Sequence, residues 1–210
     1  MAQDLPPTTQ QAEEAASSSK FETLKTSFIG LVIGAVAVFI VWGGLTFAAE
    51  MSQKQIQKEY LALGDDMSRA SFAKRHMNHP LGGLVLLGQA NEYYNNGNYA
   101  AAQQAYAQAT QSGLKTEPVL LEQAVLGQAF ASYALDPAKG LGALKEIAQN
   151  PTLLQSTRAY AAAELAGYYA NKGDFKQAKD YMQLVKTFKE AKAWQHQIST
   201  IGEVYPLLKE

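Results

Sequence analysis

The chain has 210 residues, 47% of them hydrophobic and 18% charged, with 18 Lys and Arg against 19 Asp and Glu and a formal net charge of −1. That balance excludes wholesale disorder, and the lack of any basic run removes the counterion release that drives nucleic-acid binding, so no nucleic-acid partner is expected. No cysteine is present, which excludes a disulfide framework, a thiolate zinc site and a cysteine nucleophile.

Residues 1–20, MAQDLPPTTQQAEEAASSSK, hold almost no large apolar side chain, so burial cannot offset the entropy of ordering them. A disordered cytoplasmic tail is expected over 1–26. FIGLVIGAVAVFIVWGGLTFAA, Phe28 to Ala49, then runs 22 residues without a charge. A helix needs about 20 such residues to cross the hydrocarbon core. A transmembrane signal-anchor helix is therefore expected over 27–50, with residues 28–49 in the lipid bilayer. A cleaved signal peptide would carry an apolar region of about 7–15 residues behind a short basic stretch. Here 27 residues precede the span, four of them acidic, although the small residues around Thr46, Phe47 and Ala48 keep cleavage open as the alternative. Lys20 and Lys25 before the span balance Lys54 and Lys58 after it, so basic residues do not set the orientation. Gly30 and Gly34 form a GxxxG pair, a candidate transmembrane packing face through which a homo-oligomer could form.

MSQKQIQKEYLALGDDM, Met51 to Met67, reads as a helix continuing from the span, within a juxtamembrane spacer region over 51–79. Ile56, Tyr60, Leu63 and Met67 step by 4-3-4, as a short coiled-coil seam would. Asp65 and Asp66 follow Gly64 and are read as the end of that helix. His76 and His79, in RHMNH, stand three apart, but no third ligand is near and Pro80 follows. A solvated helix end is the expected reading, with no metal bound.

The remainder repeats. ANEYYNNGNYAAAQQAYAQA aligns with AGYYANKGDFKQAKDYMQLV at a shift of 76 residues, twice 38. Ala90 meets Ala166, Tyr93 meets Tyr169 and Gly97 meets Gly173; Tyr99, Ala102, Tyr106 and Ala109 meet Phe175, Ala178, Met182 and Val185. A third copy lies between, LGQAFASYALDPAKGLGALKEIA, with Gly127, Phe130 and Leu144 in equivalent places and Asp136-Pro137 replacing the turn glycine. A period in the thirties marks stacked supersecondary units. Each unit is expected to be a helical hairpin: Ala90, Tyr93 and Tyr94 on a first helix, a turn at Gly97, and a second helix whose face carries Tyr99, Ala102, Tyr106 and Ala109. Pro80, Pro118 and Pro151 stand where the first helices should open. Beyond them Phe188, Ala191, Trp194, Ile198, Ile201 and Tyr205 form a further helical stripe, expected over 188–210 as a C-terminal cap.

Small residue, aromatic three on, Gly-x-aromatic, then alanine and bulky positions: this pattern resembles the tetratricopeptide repeat over about 80–187, and a generic helical bundle is the alternative. The resemblance implies an all-α fold, one N-terminal transmembrane helix followed by a tetratricopeptide-like right-handed α-solenoid of about three hairpins with flanking helices. The tail, the single span, the polar helix, HPLGGLVLLGQANEYYNNGNYAAA and the Trp-bearing last helix together resemble the YfgM-like family, single-span ancillary subunits of the SecYEG translocon. That resemblance implies the bacterial inner membrane and a periplasmic C-terminal domain. It also implies partnership with SecYEG, with a periplasmic chaperone and with exported client proteins.

In tetratricopeptide arrays the first helices line the concave face. Carried over, those positions are Leu84, Asn91, Tyr94 and Asn95 in the first repeat, Gln128 and Ser132 in the second, and Tyr160 and Asn171 in the third. None is Lys or Arg, and Leu87 stands where arrays that clamp carboxy-terminal carboxylates have lysine. The expectation is a neutral groove for apolar or amide-bearing peptide. The chain carries no Gly-rich phosphate loop, no HExxH and no nucleophile elbow, so neither enzyme chemistry nor a cofactor is expected. A self-assembling membrane scaffold is the second function class, and an enzyme built on scattered Ser, Asp or Glu the third.

Overall fold

The computed structural model describes residues 50–208. The expected tail, the expected span over 28–49 and its Gly30 and Gly34 all lie outside the described residues. Among the described residues no helix is long and apolar enough to cross a membrane.

Two compact units divide the chain, Met1–Lys58 and Glu59–Glu210. In the first, residues 50–58 are helical, with Lys54 Nζ paired to Glu50 Oε1 at 2.9 Å. The second unit is all-helical over its described residues. Residues 59–61 finish a helix, and eight more α-helices follow. We number these α1 (Asp66–Arg75), α2 (Pro80–Asn95), α3 (Tyr99–Gln111), α4 (Pro118–Leu135), α5 (Pro137–Gln149), α6 (Gln155–Asn171), α7 (Phe175–Thr187) and α8 (Lys192–Val204). Short 3₁₀ turns occupy Gly113–Thr116 and Pro206–Leu208.

Local chemistry explains the boundaries. The spacer helix expected to run from Met51 to Met67 is broken, and Asp65 and Asp66 start a helix where they were expected to end one. Asp65 is the N-cap of α1: its Oδ1 accepts from Ser68 N–H at 2.7 Å, and Ser68 Oγ accepts from Asp65 N–H at 3.2 Å, a reciprocal capping box. These hydrogen bonds hold the exposed Asp65 carboxyl below its ordinary range. The 4-3-4 seam is lost with the break, since Leu63 falls between helices and Met67 is 83% exposed. α1 packs on α2 and buries Phe72 completely, so much of the expected spacer belongs to the folded unit.

The two well-matched repeats close with the same turn. Asn98 N–H reaches Tyr93 C=O at 2.9 Å and Gly97 N–H reaches Tyr94 C=O at 3.0 Å; Asp174 and Gly173 repeat both bonds to Tyr169 and Ala170 at 2.9 and 3.1 Å. These are the paired bonds of a Schellman motif, and they require a left-handed residue. Gly97 and Gly173 supply it, each at φ +74°. Asn98 and Asp174 then cap the next helix, accepting from Ala101 and Gln177 N–H at 3.3 and 3.1 Å. The middle hairpin uses one residue instead of three. Asp136 ends α4 and caps α5 at φ −146°, accepting from Ala138 and Lys139 N–H, with Pro137 in the first turn, so no glycine is needed.

Pro80 and Pro118 open α2 and α4 as expected, whereas Pro151 does not open a helix. Asn150 Oδ1 accepts from Thr152 N–H and Oγ1 at 3.0 and 2.8 Å, forming a turn that delays α6 to Gln155. The C-terminal stripe is also split: Phe188 and Ala191 are buried in the α7–α8 connection, and α8 carries only the later positions.

Each helix packs on the next along the chain, and α2, α4, α6 and α8 also touch in series. Alanine makes this close approach possible. Ala159, Ala161, Ala162, Ala163, Ala166 and Ala170 of α6 are all buried, because α6 is packed by α4, α5, α7 and α8 at once. Leu165 and Val185 fill the space beside them, each burial contributing about 1.5–3 kcal/mol.

Candidate functional site

The alternate helices leave a cavity of about 710 Å³. Its floor is α6, where Tyr160, Ala163, Glu164, Gly167, Tyr168 and Asn171 fall on one helical face at steps of one, three and four. α4 contributes Phe130 and Tyr133, α2 contributes Tyr94, α3 contributes Tyr106, and α5 contributes Leu141 and Leu144. α8 closes it with Gln197 and Ile201, and Tyr205 follows at its C-cap. Ala163 and Gly167 lower the floor, while tyrosines from α2, α3, α4 and α6, together with Tyr205 just after α8, surround the space.

Ring contacts hold those walls. Tyr160 lies flat on Trp194 of α8, with centroids 4.3 Å apart and planes 5° from parallel, and meets Phe130 of α4 at 5.3 Å. Tyr133 and Tyr168 meet edge to face at 6.2 Å, as do Tyr94 and Tyr99 at 5.2 Å. Two hydroxyls are fixed by amides: Tyr106 Oη donates to Asn91 Oδ1 at 2.6 Å, and Tyr205 Oη donates to Asn171 Oδ1 at 2.6 Å.

Among the described residues, Glu164 is the one charged side chain in the cavity lining. Its Oε1 accepts from Gln197 Nε2 at 3.3 Å. Burial raises the Tyr94 phenol, helped by Tyr99 and the Glu164 charge, and raises the Tyr160 phenol, helped by Glu164 and Tyr94. Burial raises Tyr106 as well, with Tyr94 adding to it. These hydroxyls therefore remain protonated donors at neutral pH.

Of the residues expected to form a groove, Tyr94, Tyr160 and Asn171 line the cavity; Leu84, Asn91, Asn95, Gln128 and Ser132 do not. Asn91 sits behind Tyr106 as its acceptor. Ser132 joins α4 to α3, its Oγ accepting from Gln103 Nε2 at 2.7 Å and donating to the Gln128 carbonyl at 2.8 Å. Leu84 is half-buried against its neighbours and Asn95 is exposed at the end of α2. Leu87 is only 2% exposed, so it faces the core and cannot stand in for a clamp lysine. The cavity lining also includes a residue outside the expected groove set, the acidic Glu164. Sequence reasoning missed Glu164, Phe130, Tyr133 and Tyr168, although Tyr160, Glu164 and Tyr168 step by four along one helix.

His76 and His79 are helix-end residues, but they are engaged. His76 Nε2 lies 3.1 Å from Glu59 Oε2 and its ring rests 4.6 Å from that of Phe72. His79 is the N-cap of α2, its Nδ1 accepting from Leu81 N–H at 3.1 Å. Among the described residues no group of three or more His, Cys, Asp or Glu could hold a metal ion.

No protein-family model matches the chain, and no curated protein or solved structure matches it either.

Proposed function

We propose that the chain is a membrane-anchored, tetratricopeptide-like right-handed α-solenoid that binds polypeptide segments in the cavity bounded by α2, α4, α6 and α8. The observation that carries this reading is the aromatic lining, six tyrosines and a phenylalanine around about 710 Å³. A volume of that size and an apolar wall with a few polar groups suit a bound ligand. Tyrosine faces accept apolar side chains, while hydroxyl donors and the amides of Asn171 and Gln197 can pair with an extended backbone. The charge-free stretch over 28–49 and the family resemblance support an anchor in a bacterial inner membrane with a periplasmic domain. On that basis the partners are exported polypeptides, a periplasmic chaperone and the SecYEG translocon.

The test is a photoreactive amino acid in place of Tyr94, illuminated in intact membranes. Covalent adducts with exported polypeptides or translocon subunits are expected. Repeated absence of any polypeptide adduct, with the protein present and membrane-bound, rejects the reading.

A further inference from the structure

Resting on the peptide-binding reading above, we infer that the cavity selects a segment bearing a lysine or arginine between apolar side chains, with Glu164 reading the cation and the surrounding tyrosine rings holding it. The carboxylate is placed for that task. Glu164 lies half-buried at the middle of α6, and among the described residues no lysine, arginine or histidine forms an ion pair with it. Its hydrogen bond from Gln197 is long, at 3.3 Å, and comes from a neutral amide. Partial burial strengthens the field of such a charge relative to open solvent.

The rings act in the same direction. An aromatic face carries negative electrostatic potential and attracts a cation placed over it. Lys172 already illustrates this at the exposed end of α6, its Nζ lying 5.9 Å from the ring centroid of Tyr168. A cation entering beside Glu164 is favoured by the carboxylate and by ring faces together, whereas an acidic segment is opposed by both. Leu141, Leu144 and Ile201 supply the apolar wall that flanking side chains would touch.

The experiment uses the full chain in detergent micelles and a fluorescein-labelled peptide, Ser-Gly-Phe-Leu-Lys-Phe-Leu-Gly-Ser. Two further peptides carry Met or Glu at the central position, and micelles alone give the background. Fluorescence anisotropy is expected to show the lysine peptide binding about tenfold tighter than the methionine peptide, with the glutamate peptide weakest. Glu164→Gln should bring the lysine and methionine peptides within about twofold of each other. Glu164→Lys should reverse the order in favour of the glutamate peptide, which a merely unfolded variant cannot do. Equal binding of lysine and methionine peptides by the unaltered chain overturns the cation inference and leaves peptide binding standing. A lysine preference that survives both substitutions overturns it as well. If no peptide binds above background, the inference falls together with the reading on which it rests.

Discussion

Two glycines in one helix should respond to the same substitution in opposite directions. Gly142 of α5 faces solvent, and a methyl group built there meets nothing within 4 Å. Gly140, two residues earlier, is buried, and a methyl group there runs into the backbone N and Cα of Tyr133. Alanine in a helix interior is favoured over glycine by about 0.8–1.0 kcal/mol, so Gly142→Ala should stabilise the fold by about that amount. Gly140→Ala gains the same propensity but must push α5 away from α4. Overpacking a tight contact costs about 1–3 kcal/mol, and a rigid backbone obstacle belongs at the upper end. The net expectation is a loss of about 2 kcal/mol, leaving the two variants about 3 kcal/mol apart. At about 2–4 °C per kcal/mol, thermal melts by far-UV circular dichroism should rise by about 3 °C for Gly142→Ala and fall by about 6 °C for Gly140→Ala. Equal stabilisation by both substitutions would refute the close approach of α4 and α5 on which the cavity wall at Tyr133 depends.

Glu122 is 5% exposed, and both its oxygens accept from Leu154 N–H at 3.0 Å, tying α4 to the turn before α6. Glu122→Ala removes the charged acceptor of that part-buried hydrogen bond and should cost about 1.5–3 kcal/mol in urea unfolding, with Glu122→Gln costing about 1 because one acceptor is kept. Gly97→Ala and Gly173→Ala should each lose about 1 kcal/mol, and near-equal losses in the same assay test the equivalence of the two turns. His79 caps α2 through an unprotonated Nδ1, and burial, then the neighbouring His76, lowers it from its ordinary value of 6.5. Because the folded state disfavours the proton, this contribution is complete above about 6.5 and is lost as pH falls through the lower folded value. His79→Asn retains a capping oxygen and should flatten the acid limb of the stability–pH curve; an unchanged limb rejects the assignment.

The hairpins were legible because their chemistry is local. Gly97 and Gly173 sit at left-handed turns, and alanines at steps of three and four mark the buried faces. The errors came from competition that only the fold exposes. Asp65 could end one helix or cap another, and Ser68 three residues on decides it. Pro151 looks like Pro80 and Pro118 in sequence, yet Asn150 bonds Thr152, and Leu154 bonds Glu122, 32 positions back. The site was legible in part for a similar reason. Of the first-helix positions, Tyr94, Tyr160 and Asn171 line the cavity, while neighbouring helices engage others, as Tyr106 engages Asn91 and Gln103 engages Ser132.

The last helix illustrates how stacking and recognition depend on one surface. α8 packs on α6, buries Ile198 and stacks Trp194 on Tyr160. The same helix and its C-cap bring Gln197, Ile201 and Tyr205 to the cavity, where Gln197 meets Glu164 and Tyr205 meets Asn171. A cap chosen only to shield an apolar face would have no use for those polar contacts. Their placement puts packing and polar contacts on the same α6–α8 surface, so a change that loosens α8 should lower stability and disturb the cavity together.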